Sequence, residues 1–339
     1  MPTAALPPTG DVALAANSDK PLIILDKRYR WQVALTLAGL AILFALELVT
    51  GPASGLDPAL LAQLRVPRAL AAALVGAALA GAGTCYQQVF RNPLASPDLL
   101  GVAPGAALGA ALAIVAGLPA ALVQACAFAG AMLAVAFATG IASRLRAGDP
   151  VLSLLLAGIA IGAAASALLT LLTALADPSR QLPAITYWML GSFSSATPAD
   201  ALLALVPVAA AIVPMMLLAW RVNLLALPDD EAAALGADVR SLRRAVIGCA
   251  TLAASAAVAL AGIVGWIGLL APHFAGLLAG GDFARRFPVA IAVGAAATLG
   301  VDVLSRAFGP PELPPGALAA LIGAPLLLWL LARGVRGES

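Results

Sequence analysis

One histidine and two lysines are most of what this chain offers for reaction chemistry. His273 stands alone, with no HExxH pair to hold a metal. Lys20 and Lys27 precede the first long apolar run, and no GxxxxGK[ST] loop occurs. The chain therefore has no P-loop of its own for ATP. No GxSG nucleophile turn is present. Asp302 is the clearest acid inside an apolar run, and an ion-coupled carrier needs more acid and histidine groups at membrane depth. Cys85, Cys126 and Cys249 all lie in apolar runs, as small packing residues do, and lack the spacing of a disulfide or zinc framework.

Polar residues concentrate instead at three places. Residues 91–101 read RNPLASPDLLG, a proline-clamped turn between two apolar runs. Residues Asn223 to Arg244 read NLLALPDDEAAALGADVRSLRR. There Pro228, Asp229, Asp230 and Glu231 make a helix start suited to the positive end of a helix dipole. Gly236 is a stop and Asp238 a second cap, so two short amphipathic helices are expected. The third set is Arg65, Arg68, Arg180 and Arg306, which fall on the opposite side of the membrane in the topology below.

The elements that position these groups follow from composition. Of 339 residues 62% are hydrophobic and only 11% charged, with net charge +2, against about 25% charged in soluble domains. Apolar runs of about 20 residues recur, each able to cross a hydrocarbon core of roughly 30 Å as a helix. They lack the period-2 alternation of a transmembrane barrel. The fold class is an all-α polytopic membrane protein with about ten transmembrane helices. Spans are expected near 31–50, 68–90, 99–116, 119–142, 151–175, 200–220, 244–263, 265–280, 288–307 and 315–332. The third and fourth, and the seventh and eighth, could each be one broken helix. With residues 1–30 as a cytoplasmic tail, fifteen Lys and Arg fall inside and four outside, a positive-inside bias. Both termini are then cytoplasmic and the number of spans is even. Gly158, Gly162 and Ser166 are spaced four apart in the fifth span. That spacing suits close helix packing, or a helix that lines a wide path.

Seven stretches in order carry a family resemblance. They are RVPR at 65–68, VGAALAGAG at 75–83, RNPLASPDLLG at 91–101, YWMLGS at 187–192, DDEAAALG at 229–236, GIVGWIGLLAPH at 262–273 and ELPPGALAALIGAPLLLWLL at 312–331. Over about residues 31–335 the chain resembles the FecCD/BtuC-like permease subunits of type II ABC importers, which carry ferric siderophores, haem and cobalamin.

The resemblance implies a ten-helix permease domain at 31–335, with coupling helices at about 228–243. It implies an inner-membrane homodimer with a path along the dimer axis, two ATPase subunits and a periplasmic substrate-binding protein. Nothing points to nucleic acid. ATP and magnesium would bind the ATPase, and this chain would hold no cofactor or metal. The implied cytoplasmic gate is Asn92, Pro93 and Leu94, with Leu94 as a plug and Asn92 bonding across the dimer axis. A second gate falls at Val151, Leu152 and Ser153. The implied ATPase contact is Asp229, Asp230, Glu231, Ala234, Leu235 and Gly236. Arg65, Arg68 and Arg306 match positions that pair with glutamates of the binding protein; membrane-interface anchoring is the alternative for them. Relatives usually carry PHxxR where this chain has His273 followed by Gly276, so the basic residue of that pattern is missing. With one histidine and few methionines, an intact chelate or macrocycle suits the path better than a bare metal ion. The expected cargo is a ferric siderophore, with haem or cobalamin the runner-up. An ion-coupled secondary carrier is the rival from another class, and an intramembrane enzyme is nearly excluded by the residue inventory.

Overall fold

The computed structural model describes residues 27–50, 61–145, 149–307, 309 and 311–336. Most of the expected tail, with Lys20, and also Arg146 lie outside them. Every regular element among the described residues is a helix, which satisfies its own backbone groups where no water can. In order the helices are α1 (Lys27–Val49), α2 (Val66–Phe90), α3 (Val102–Val115), α4 (Ala120–Arg144) and α5 (Pro150–Leu175). Then follow α6 (Gln181–Leu190), α7 (Pro198–Leu217), α8 (Ala219–Asn223), α9 (Asp229–Ala234), α10 (Val239–Ala261), α11 (Ile267–Ala279), α12 (Phe283–Ala307) and α13 (Pro315–Arg336).

Each of the ten expected spans corresponds to one apolar helix: α1 to α5, α7 and α10 to α13. The two ambiguous pairs are separate helices, parted at 116–119 and at 262–266. Helix α6 was not expected. Its ten residues are too few to cross the membrane, so hydropathy alone does not mark it.

Helices α3 and α11 have 14 and 13 residues, about 21 and 20 Å at 1.5 Å per residue. Neither spans the hydrocarbon alone. Irregular backbone precedes each of them: a 3₁₀ turn at Pro97–Leu100 before α3, and residues 262–266 before α11. The first break packs on the first turn of α11. A Cβ added at Gly268 would stand 3.2 Å from Pro97 Cδ and 3.0 Å from the Leu79 carbonyl oxygen. Irregular backbone at membrane depth is tolerated where protein buries it or a wet cavity borders it.

Helix α2 is the centre of the bundle. From Val75 to Phe90 nearly every side chain is buried, and α7, α10, α11 and α12 surround it. It crosses both α11 and α12 closely, and at α12 the approach is mutual. A Cβ on Gly76 would overlap the Gly294 carbonyl, and one on Gly294 would overlap that of Gly76, so the two backbones touch. Tyr86 puts its hydroxyl 2.8 Å from the Thr251 hydroxyl on α10, so these two buried polar groups partner each other.

Candidate functional site

The 91–101 turn is built by two devices. Helix α2 ends at Arg91, which takes the left-handed conformation (φ 47°) and returns its N–H towards Gln87 and Gln88. The Asn92 side-chain oxygen then accepts from the Leu94 N–H at 2.9 Å, closing an Asx turn. One lone pair of that oxygen is thus used inside its own turn. Asn92, Pro93 and Leu94 are exposed, Leu94 by 43%.

The turn's second half is seated on α5. A Cβ at Gly158 would lie 2.5 Å from the Leu99 carbonyl oxygen and 2.8 Å from Leu100 Cα, and one at Gly162 would lie 3.4 Å from Gly101 Cα. Two of the three small residues of the fifth span thus receive the returning backbone, while Ser166 is exposed.

The second expected gate segment opens α5. Asp149 caps it, accepting from the Val151 N–H at 2.8 Å. Ser153 is buried, and its hydroxyl donates to the Asp149 carbonyl at 2.8 Å. Val151 is half-buried and Leu152 is 52% exposed. Of these three, Leu152 is the side chain most available to a path.

Helix α9 begins after Pro228 with Asp229, Asp230 and Glu231 in its first turn, and Gly236 follows it with φ 83°. Asp238 caps the next helix through Ser241 N–H at 3.0 Å. That helix is α10, which runs unbroken from Val239 to Ala261. The second short helix expected here is thus the first turns of a long one. Hydropathy misses this because Arg240, Arg243 and Arg244 mask the helix's entry. In α9 only Ala232 is buried. Asp230, Glu231, Ala234, Leu235 and Gly236 are exposed, beside a cavity of about 830 Å³ between the end of α4, the start of α5, α9 and α10.

Asp229 joins these parts. Its Oδ1 accepts from Arg91 Nη2 at 2.7 Å, and Arg243 Nη2 donates to Oδ1 at 2.8 Å and to Oδ2 at 3.0 Å. The hydrogen bond from Arg243 is the largest influence on its carboxyl, and with that from Arg91 it outweighs burial and holds the group below the usual carboxylate range. The sequence reading gave Arg91 and Arg243 no role. Nothing in their types links positions 138 and 14 residues from their partner.

At the other end of the bundle the three expected docking arginines are engaged within the chain. Arg65 is 8% exposed and donates to the Leu48 carbonyl at 2.7 Å. Arg68 grips the fully buried Asp302 with Nε and Nη2, both at 2.8 Å, and Glu312 with Nη1 and Nη2 at 3.0 and 2.8 Å. Arg306 pairs with buried Glu47, lies 3.6 Å from Asp302 and donates to the Thr50 carbonyl at 2.8 Å. Of this cluster's acids Glu312 is the most exposed, at 36% of its side chain. His273 sets Nδ1 3.0 Å from the Leu269 carbonyl of its own helix, which suits a structural hydrogen bond.

Comparison with known proteins agrees with this architecture. The profile of the FecCD transport family matches residues 29–333. An iron chelatin transport system permease protein of Helicobacter pylori is 38% identical over 271 residues, 80% of this chain and 82% of the relative. The Fe(3+) dicitrate transport system permease protein FecC of Escherichia coli is 39% identical over 293 residues, 84% and 87%. Relatives named for hemin and for vitamin B12 match as well. A solved structure, described as an inward-facing conformation of a metal-chelate type ABC transporter, superposes with TM-score 0.84 at 34% identity. It covers 90% of this chain and 99% of that one. The chain belongs to the FecCD transport family, and is a multi-pass membrane permease subunit of an ABC importer whose ATPase is a separate polypeptide.

Proposed function

We propose that this permease works as a homodimer in the inner membrane, with both termini cytoplasmic, and moves an intact ferric siderophore inward. The observation that carries the reading is the 91–101 turn. It re-enters the bundle on the glycines of α5 and leaves Leu94 exposed, and Arg91 at its start shares a cleft with the Asp149–Val151 start of α5. Two copies facing each other through α5 and α13 would set these turns around one path. The apolar side chains that α13 leaves exposed, Leu321 at 72% and Leu328 at 68%, suit a partner surface.

The exposed face of α9, with Asp230, Glu231, Ala234, Leu235 and Gly236, is the contact for one of two ATPase subunits, which bind ATP and magnesium. The permease itself contributes gating and no bond chemistry. A periplasmic binding protein docks at the opposite end. Since Arg65, Arg68 and Arg306 are held by partners within the chain, their part in docking is to brace that surface, with Glu312 as an exposed contact. An iron chelate is favoured by the relatives named for iron chelatin and ferric dicitrate. Haem or cobalamin is the second reading, favoured by the hemin and vitamin B12 relatives.

The test is co-expression with the cognate ATPase and binding protein. Native mass spectrometry should give two permeases with two ATPases. Uptake of ferric dicitrate, a ferric hydroxamate, hemin and cobalamin is then compared in proteoliposomes. Uptake of cobalamin alone would overturn the cargo, and a permease monomer would overturn the path.

A further inference from the structure

We propose that Arg91 is the positioning residue through which movement of α9 reaches the Asn92–Leu94 turn. The proposal rests on the reading of α9 as the ATPase contact. Arg91 faces two ways. Its backbone is the left-handed residue that ends α2 and directly precedes Asn92, whose N–H returns to the Gln87 carbonyl at 3.2 Å. Its side chain leaves the turn and is held at two points on the 224–234 segment: Nε donates to the Leu225 carbonyl at 2.9 Å and Nη2 to Asp229 at 2.7 Å.

Helix α9 has six residues, and only Ala232 is buried, so few apolar contacts tie it to the bundle. Asp229 ties its first turn down by charge, to α10 through Arg243 and to the turn through Arg91. A charge-assisted fork of this kind fixes direction as well as distance. Displacing the first turn of α9 therefore pulls on the side chain of the residue next to Asn92. The cleft between Val89–Arg91, Asp149–Val151 and Pro228–Asp229, about 290 Å³, leaves Arg91 room to move with its partner. The start of α5 borders the same cleft, so both expected gate segments lie beside this arginine.

Hydrogen exchange on the full complex with its ATPase tests this without knowledge of the cargo. Exchange is compared in the nucleotide-free and the ADP-vanadate-trapped states. In the parent, peptides covering 229–236 and 91–101 should both change on trapping. Arg91→Ala and Asp229→Asn should keep the change at 229–236 and lose it at 91–101. Arg91→Lys, which keeps the charge but not the two-point grip, should retain part of it. Arg243→Gln leaves the Arg91–Asp229 bond in place and should retain the change at 91–101. A merely structural Arg91 would alter exchange equally in both states and leave the difference between them intact. If Arg91→Ala and Asp229→Asn both respond at 91–101 as the parent does, the proposal is wrong. If the parent itself shows no change at 229–236 on trapping, the reading of α9 as the ATPase contact fails instead.

Discussion

Replacing Asp302 by asparagine should destabilise the folded permease by about 3 kcal/mol, and removing its partner as well should return part of that loss. Asp302 is fully buried and accepts two hydrogen bonds from Arg68 at 2.8 Å. Hydrogen bonds to charged groups contribute about 1.5–3 kcal/mol each, and breaking a buried pair by deleting one partner costs about 3–5 kcal/mol. Arg68 keeps Glu312 after the change, which places the expected loss at the lower end of that range. Asparagine also turns an amide donor towards a guanidinium that has only donors. In Arg68→Leu/Asp302→Leu no charge of this pair is stranded. Glu312 can hydrate, and Arg306 retains Glu47. Replacing a buried ion pair with apolar residues is often close to neutral, so the double variant should lie nearer the parent than Asp302→Asn does. Unfolding by SDS in mixed micelles, without binding protein, measures all three variants. A parent-like Asp302→Asn would show that the pair does not hold the fold, and would return Arg68 to a direct role in docking.

Four further outcomes are expected. Gly294→Leu should fail to give a monodisperse permease, because its side chain must enter the Gly76 backbone, whereas Gly300→Ala meets open space on the same helix and should be neutral or slightly stabilising. Size-exclusion profiles of the two compare them directly. Gly158→Val should displace the 97–101 turn and abolish transport while the protein still inserts, which protease accessibility of 91–101 reports. Leu94→Ala should raise substrate leak from proteoliposomes without ATP, and equal leak would remove Leu94 from the gate. Asp229 should give acid-sensitive stability. Its folded pKa is lowered, first by Arg243 and then by Arg91, so its contribution is complete above the unfolded carboxylate value of about 3.9. That contribution is lost as pH falls through the lower folded value. Thermal stability of the parent and of Asp229→Asn should therefore differ by a constant amount near neutral pH and converge on acidification.

The spans were legible because hydropathy and length report burial in lipid whatever the partners are. The same signal failed where structure depends on contacts. Ten residues at Gln181–Leu190 fall below any spanning length. The charged entry of α10 read as a separate surface helix, although its chain continues unbroken into the core. Spacing left Gly158 and Gly162 open to close packing or to lining a path, and the fold sets them against the returning backbone at Leu99–Gly101. The arginines illustrate the limit most clearly. Their placement against the positive-inside bias was visible, but their partners were not, since Arg68 and Asp302 are 234 residues apart and Glu47 sits in an unremarkable first helix. A charged residue at a membrane edge reads alike whether it awaits a soluble partner or closes a buried pair.

The most direct test of the account is the energy source for uptake. Proteoliposomes holding this permease with its ATPase, supplied with a loaded binding protein and radiolabelled ferric chelate, are given ATP inside or an imposed proton or sodium gradient. The account predicts uptake with ATP that vanadate stops, and none from either gradient alone. Uptake driven by a gradient without ATP would contradict it, and would make the chain an ion-coupled carrier.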